Sequence, residues 1–423
     1  MDVVTWFGDT VDDLLQSGHV TAARHLLLAG YHAQNLVFKH LPKKQLPPSK
    51  RYVAHATMDA MIGALEHPAD TAMVSIFVPT EPLAAAGITP YSVETLSGYL
   101  AGAKAQRALF ERTRGEGLPE TLCSFHRAFL GAAEFDLVPP PRLVVYTNLA
   151  CDANMLTFPA LREHFDVPSF FIDVPYEKSD ESVAHVASQL REMCDFVANV
   201  TGKRVDDEAL RAMLARSSRT MSNMRDYLAL EKYYYLPGDV TSEMYGVFMG
   251  HIFLGTEQAE RYSRMLLEDI SVAEPSDAIR LLWIHLIPYL QPSIRDLFNF
   301  NDRVFITSCE LAHDNVFQPI DPERPFESMA RRLVYSCYNG SPEGRVEQAL
   351  ALAERTGADG AVVFAQWGCK QTIGASGILK DALEEAGLPT LVLDGDGCDV
   401  DNNSDGQLQT RLGAFLEMLG EGC

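Results

Sequence analysis

Hydrophobic residues recur at helical intervals along the first part of the chain. Val11, Leu14 and Leu15 fall on one helical face, and a second run of this kind follows before Leu46 and two prolines. The pattern predicts an N-terminal helical arm at residues 1–51.

From about residue 52 the pattern changes to short runs of β-branched and aromatic residues, separated by helical stretches. Runs of this kind are typical of buried parallel strands, and the stretches between them suit crossover helices. Residues 52–200 therefore predict a first α/β domain, with strands at 73–78, 143–147 and 170–174.

Residues 201–302 contain no comparable run, and their long amphipathic stretches at 206–235 and 276–289 predict a helical segment. Strand-like runs then return and predict a second α/β domain at 303–423, which ends in a helix at 407–419. The expected fold class is α/β, with two Rossmann-like parallel-sheet lobes, an N-terminal helical arm and a helical middle segment. The strands expected in the second domain are 304–307, 333–336, 361–365 and 390–394.

Composition and charge exclude several classes of protein. The chain has 423 residues, of which 47% are hydrophobic and 22% charged, as in an ordinary globular protein. Lys and Arg number 35 and Asp and Glu 57, which gives a net charge of −22 without a basic stripe, so we expect no binding to nucleic acid or to anionic membranes. No apolar stretch reaches the ~18 residues of a membrane span, and the start lacks a signal-peptide pattern, so we expect a cytoplasmic protein.

The eight cysteines are too sparse for a disulfide scaffold, and no CxxC occurs, so a metal site must be assembled from distant segments. Cys151 and Cys369 each follow a predicted strand, at the sheet edge where α/β proteins bind ligands. Cys123 lies near a predicted helix start. A helix N-terminus and Lys370 would stabilise a Cys369 thiolate. The ordinary alternatives are that Lys370 is a solvated surface charge and that the cysteines serve as small buried hydrophobic residues.

Other polar residues carry weaker signals. His126 and Glu81 are candidates for proton handling or substrate contact, but a structural role is the stronger interpretation for each. The acidic group at Asp394, Asp396 and Asp399 lacks the calcium-loop pattern and favours a strand-end turn or a domain contact. The glycine-rich stretch 368–377 has no nucleotide-binding motif, so we expect no ATP site there.

Four stretches of the sequence resemble one known family. Residues 76–90 carry a proline, a glutamate and an A-x-G-x-x-P turn, residues 123–131 read C-S-F-x-R-x-x-L-G, and 148–154 hold a Cys-Asp pair. The fourth stretch gives W-G-C-K-Q, G-L-P-T-L, L-D-G-D-x-x-D and Q-x-x-T-R in order between residues 367 and 412. In these motifs the chain resembles the 2-hydroxyacyl-CoA dehydratase family, whose relatives include the subunits of ATP-dependent benzoyl-CoA reductase.

The resemblance implies a cofactor and an activity. It implies a [4Fe-4S] cluster held by Cys123, Cys151 and Cys369, with one iron left without a protein ligand. It also implies a heterodimer with a homologous second subunit and a separate ATP-hydrolysing iron–sulfur activator that supplies one electron. The expected reaction is that of a lyase: an (R)-2-hydroxyacyl-CoA is reduced to a ketyl radical, expels hydroxide, loses a β-proton and becomes the enoyl-CoA.

Three further cysteines, Cys309, Cys337 and Cys398, lie near predicted strand ends or loops and keep alternatives open. If they bind iron, a double-cubane cluster or a benzoyl-CoA-reductase-type ATP-dependent reductase is the better description. A third alternative is a non-catalytic partner subunit that relays electrons. The resemblance does not specify the acyl group, the subunit type or flavin binding.

Overall fold

The computed structural model describes residues 2–420, and Cys423 lies outside this range. It contains two four-stranded sheets, each fully parallel and covered by helices. The predicted α/β fold with two lobes is confirmed. Within residues 2–420, no helix has both the length and the apolar character needed to cross a bilayer.

The arm consists of three helices, and the two prolines mark a boundary between helices rather than the end of the arm. Pro48 takes the first position of the third helix, where the fixed φ of proline suits the helix and its missing N–H is not needed. This helix continues to the first strand of the lobe that follows, apart from a short 3-10 turn. The helices are α1 (Val3–Gln16), α2 (Val20–His40) and α3 (Pro48–Glu66).

The first lobe has the strand order β2-β1-β3-β4. The strand predicted at 73–78 ends at Val74, because residues 75–78 turn away from the sheet, and the short strand β2 was missed. The elements are β1 (Thr71–Val74), α4 (Glu81–Ala85), β2 (Thr89–Ser92), α5 (Val93–Gly102), α6 (Arg107–Gly115), α7 (Ser124–Glu134), β3 (Leu143–Thr147), α8 (Asn154–Phe165), β4 (Ser169–Ile172) and α9 (Asp180–Thr201).

Three long helices form the middle segment: α10 (Asp207–Glu231), α11 (Val240–His251) and α12 (Glu257–Ser271). The predicted helix at 206–235 is confirmed by α10. Helices α11 and α12 pack on α3 of the arm, and α10 also packs on α4 of the first lobe. The middle segment therefore ties the arm to the first lobe.

The second lobe repeats the topology of the first, with the order β6-β5-β7-β8, and α10 packs on its helix α16. The elements are β5 (Ile279–Ile284), α13 (Pro292–Phe298), β6 (Val304–Cys309), α14 (Glu310–His313), α15 (Pro325–Val334), α16 (Glu343–Thr356), β7 (Gly360–Gln366), α17 (Lys370–Glu385), β8 (Thr390–Gly395) and α18 (Asp405–Gly420).

Two predictions for this part of the chain are wrong. The helix expected at 276–289 is the inner strand β5, whose residues 281–284 are completely buried, so the run has no alternation to distinguish it from a buried helix. The strand expected at 333–336 is instead the end of helix α15. Short apolar runs fit either structure, and packing decides between them.

Candidate functional site

The three predicted cysteines lie at the ends of strands and the starts of helices. Cys151 follows β3, Cys369 follows β7 and is the N-cap of α17, and Cys123 is the N-cap of α7. β3 and β7 are equivalent strands of the two sheets, placed where the strand order reverses. Crevices for ligands open at this position in parallel sheets.

A close backbone contact brings Cys369 of the second lobe to Cys123 of the first. Gly368 has a φ of +78°, and a Cβ at this position would lie 2.5 Å from the Cys123 nitrogen and 2.7 Å from its Cα. Only glycine allows the loop after β7 to lie so close to the start of α7. The site is therefore built across the junction of the two lobes.

Asp396 holds the same junction together. Its Oδ1 accepts hydrogen bonds from the backbone N–H groups of Cys398 and Asp399, at 2.9 and 3.0 Å, and from Gln366 Nε2 at 3.1 Å. It also accepts from the Ser124 hydroxyl, in the residue next to Cys123. The prediction of a strand-end turn or a domain contact is confirmed for Asp396, which serves as both.

The three thiols are half-buried and close enough to influence one another. Burial raises the pKa of the Cys123 thiol, and the nearby Cys369 and Asp396 raise it further. Burial likewise raises the pKa of Cys151, with smaller contributions from Cys123 and Glu94. Without a metal, Cys123 and Cys151 are therefore protonated at neutral pH, and metal binding would displace their protons.

The predicted role of Lys370 is not supported by its position. Its side chain is 81% exposed, and its Nζ lies 3.5 Å from Asp152 Oδ2. It is a solvated charge at the rim of the site. Helix α17 already begins at Lys370, so the N–H groups of its first turn lie next to Cys369.

One histidine from each lobe contacts one of the cysteines; His126 is buried and His285 is half-buried. His126 Nε2 lies 3.4 Å from Cys151 Sγ, and His285 Nε2 lies 3.7 Å from Cys369 Sγ. Burial lowers the pKa of His126 to about 4, and burial together with the Arg345 charge lowers that of His285 to about 3, so both rings are neutral. Sequence reasoning singled out His126 but missed His285, because β5, which His285 follows, was taken for a helix.

Glu94 is a carboxylate of the site that sequence reasoning missed. It lies in the first turn of α5, at the carboxyl edge of the first sheet, and its Oε1 is 4.0 Å from His126 Nε2. Its side chain is 17% exposed, and neither carboxylate oxygen completes a hydrogen bond. Burial raises its pKa to about 7, so near neutral pH it can both accept and release a proton. The sequence feature that could have identified Glu94 is its position just after the short strand β2, at a strand end.

Glu81 has the structural role that the sequence favoured. It is fully buried and forms a two-pronged ion pair with Arg332 of the second lobe, with both N···O distances at 2.7 Å. Its carboxylate also accepts a hydrogen bond from Ser217 of α10. Glu81 therefore joins the two lobes and the middle segment.

Two of the additional cysteines lie next to the site, since Cys123 is among the charged groups that raise the pKa of Cys398 and Cys309 contacts His285. Cys309 Sγ lies 3.0 Å from the His285 carbonyl oxygen, and Cys398 Sγ lies 3.9 Å from the Ser97 carbonyl oxygen. Cys337 is buried, with Glu310 among the charged groups near it.

The three cysteines can be judged as ligands of an iron–sulfur cluster by their chemical type. Among residues 2–420, no three His, Cys, Asp or Glu side chains are grouped closely enough to hold a single metal ion. A four-iron cubane places its thiolate ligands on different irons and so spreads them further apart than the ligands of one ion. Cysteine thiolates are the usual ligands of iron–sulfur clusters, so three half-buried cysteines that converge from two lobes fit such a cluster chemically.

Fold and site together define a class of protein: two parallel α/β lobes whose junction brings three cysteines together. Comparison with known families makes this class specific. Residues 75–419 match the model of the family described as 2-hydroxyglutaryl-CoA dehydratase, D-component, and the chain belongs to this family.

Individual relatives are distant. The chain is 23% identical to the (R)-phenyllactyl-CoA dehydratase alpha subunit of Clostridium sporogenes, over 73% of this chain and 79% of that protein. It is 23% identical to the lactoyl-CoA dehydratase subunit alpha of Anaerotignum propionicum, over 67% and 70% of the two chains. It is also 22% identical to the (R)-phenyllactyl-CoA dehydratase beta subunit of Clostridium sporogenes, over 81% and 90%. The chain is thus similar to both kinds of subunit.

Proposed function

We propose that this chain is the iron–sulfur subunit of a 2-hydroxyacyl-CoA dehydratase, with a [4Fe-4S] cluster held by Cys123, Cys151 and Cys369. The observation that carries the proposal is the convergence of these three thiols from both lobes: Cys151 and Cys369 follow equivalent strands, and Cys123 lies at the start of α7 against the loop that holds Cys369. Membership of the dehydratase family supports the class of substrate.

The proposed reaction removes hydroxide from C2 and a proton from C3 of the (R)-2-hydroxyacyl-CoA, and the electron that starts it is recovered at the end. A cluster with one iron free of protein ligands would supply a low-potential electron and a Lewis acid for a substrate oxygen. In this proposal Glu94 accepts the C3 proton, which its raised pKa of about 7 and its position beside His126 support. The partly buried cleft keeps bulk water from the radical.

The proposal includes two protein partners. The relatives are named as alpha and beta subunits, which supports a homologous second subunit here. An ATP-hydrolysing iron–sulfur activator would supply the electron.

The chain's similar identity to alpha and beta subunits supports a second candidate function, a non-catalytic electron-relay subunit. Binding of an acyl-CoA by the purified chain alone distinguishes the two. A catalytic subunit is expected to bind it, whereas a relay subunit is not.

The first experiment measures iron, acid-labile sulfide and the EPR spectrum of the anaerobically purified chain and its cysteine variants. We expect about four irons per chain, lost on Cys123→Ala, Cys151→Ala or Cys369→Ala. Cys194→Ala is the matched control, because Cys194 is also half-buried but lies on α9. About eight irons per chain, with iron lost in Cys309→Ala, Cys337→Ala or Cys398→Ala, would favour the double-cubane reductase instead. A chain without iron would refute the proposal.

A further inference from the structure

The two histidines at the site face the sulfur atoms in the same way. His126 comes from α7 of the first lobe and His285 from the end of β5 in the second, yet each presents its Nε2 to a different cysteine of the proposed cluster. His126 is 1% exposed, and His285 is half-buried with its Nδ1 atom shielded from solvent. The arrangement is therefore repeated on both sides of the cleft.

The hydrogen-bonding partners of the rings indicate which nitrogen carries the proton. His126 Nδ1 lies 3.0 Å from the Thr157 hydroxyl, and we assign the hydroxyl as the donor, which places the ring proton on Nε2, facing Cys151. His285 Nδ1 is buried without a partner. An orphaned N–H is rarer in proteins than an under-satisfied acceptor, so the favoured tautomer again places the proton on Nε2, facing Cys369.

The third cysteine has no histidine beside it. The backbone N–H groups of Phe125 and His126, in the first turn of α7, lie near Cys123 and oppose the rise in its pKa that burial causes. Each of the three sulfur atoms thus has an N–H donor beside it, and two of these donors are side chains that can be removed without changing a ligand.

We propose that His126 and His285 are positioning residues that donate Nε2–H to the sulfur atoms of Cys151 and Cys369 and make the bound cluster easier to reduce. The inference rests on the proposed function. A hydrogen bond to a cluster sulfur is strengthened when the cluster gains negative charge, so it stabilises the reduced form more than the oxidised form. In a buried site with little water, this preference is weakly screened.

The test is a redox titration, followed by EPR, of the anaerobically purified full-length chain. His126→Leu removes one donor. His285→Asn tolerates the left-handed backbone at this position, where φ is +76°, and its shorter amide overlaps the Nδ1 rather than the Nε2 position, so it no longer reaches Cys369 Sγ. We expect each variant to keep its iron and to be about tenfold harder to reduce, which for one electron corresponds to a midpoint potential about 59 mV more negative. His126→Gln retains an amide donor of similar reach and should recover most of the shift.

Two further variants separate this effect from general damage. Thr157→Val removes the hydroxyl that fixes the His126 tautomer and should also lower the potential, by less than His126→Leu does. His313→Gln is the matched control, because His313 is another neutral histidine but pairs with Ser308 at 2.9 Å. Its potential should equal that of the wild type.

The outcomes are distinguishable from those of the proposed function. A wild-type chain without iron would refute the cluster itself. A wild-type cluster whose potential is unchanged in His126→Leu and His285→Asn would overturn the histidine inference and leave the cluster in place. If His126→Leu loses its iron, Thr157→Val decides: a lowered potential supports the inference and an unchanged potential refutes it.

Discussion

The ion pair between Glu81 and Arg332 joins the lobes, and its removal gives a sharp test of what holds them together. Both side chains are buried, at 0% and 8% exposure, and the carboxylate and guanidinium meet through two parallel contacts of 2.7 Å. Glu81→Gln keeps the size of the side chain but leaves the Arg332 charge without its counter-ion. Bulk water reaches this partner poorly, because both side chains are buried where α4, α10 and α15 meet.

The expected magnitude follows from the burial of both charges. Breaking a buried pair by neutralising one partner costs about 3–5 kcal/mol, most of it from the uncompensated charge that remains. Replacing both partners removes that charge, so Glu81→Gln combined with Arg332→Met should be destabilised by less than Glu81→Gln alone. The sign of this difference is the critical prediction, since lost packing alone would make the double variant worse.

The assay is chemical denaturation of the iron-free chain, followed by circular dichroism and tryptophan fluorescence. The control is Glu260→Gln, which breaks the Arg219–Glu260 pair; its contact is 2.6 Å but Arg219 is 56% exposed, so we expect a loss below about 1 kcal/mol. A Glu81→Gln variant no less stable than this control, or a double variant less stable than Glu81→Gln, would refute the reasoning.

Three further predictions concern single residues. Burial raises the pKa of Asp12 from 3.8 to about 6, so the free energy of unfolding of the wild type falls as the pH rises from about 4 to about 6. Asp12→Asn cannot ionise, so relative to the wild type it should gain up to about 3 kcal/mol in free energy of unfolding at pH values above that range, and less at about pH 5. Denaturation at both pH values measures the difference. An equal gain at both pH values would contradict this. Gly368→Ala should push its loop away from Cys123 and lower the iron content with the circular dichroism unchanged, whereas Gly374→Ala, whose Cβ meets open space, should retain the iron. Glu94→Gln should lower the dehydration rate about 100-fold at unchanged iron content, measured with the partner subunit and the activator, and a rate within threefold of wild type would exclude Glu94 as the proton acceptor.

The fold could be predicted where sequence patterns are local. The strand at 143–147 was placed correctly because a β-branched run is bounded by prolines on one side and polar residues on the other. The buried strand β5 could not be told from a helix, because burial on both faces removes the alternation that identifies a strand. Leu333 and Val334 were predicted to lie in a strand but form the end of helix α15, because a short apolar run fits either structure.

The candidate site was predicted in part for a comparable reason. Cys151 and Cys369 were identified because each follows a recognisable strand, and the resemblance completed the set with Cys123. The roles of Glu94 and His285 depend on which side chains they approach from other elements of their own lobe, and no local pattern encodes that. Asp396 was classified correctly, but its hydrogen bonds to Ser124 of the other lobe exist only in the folded chain.

The repeated strand order of the two lobes distributes the three cysteines unequally. Cys151 and Cys369 occupy equivalent places after β3 and β7. Cys123 is the N-cap of α7, whereas the equivalent helix α16 of the second lobe has Pro342 at its N-cap and therefore no thiol there. A cluster in this cleft would therefore have two anchors on one half of a duplicated frame and one on the other. If the two lobes separated, the cluster would remain bound to Cys123 and Cys151 of the first lobe and would lose only its bond to Cys369. Any opening of the molecule would therefore change the ligands of one iron only.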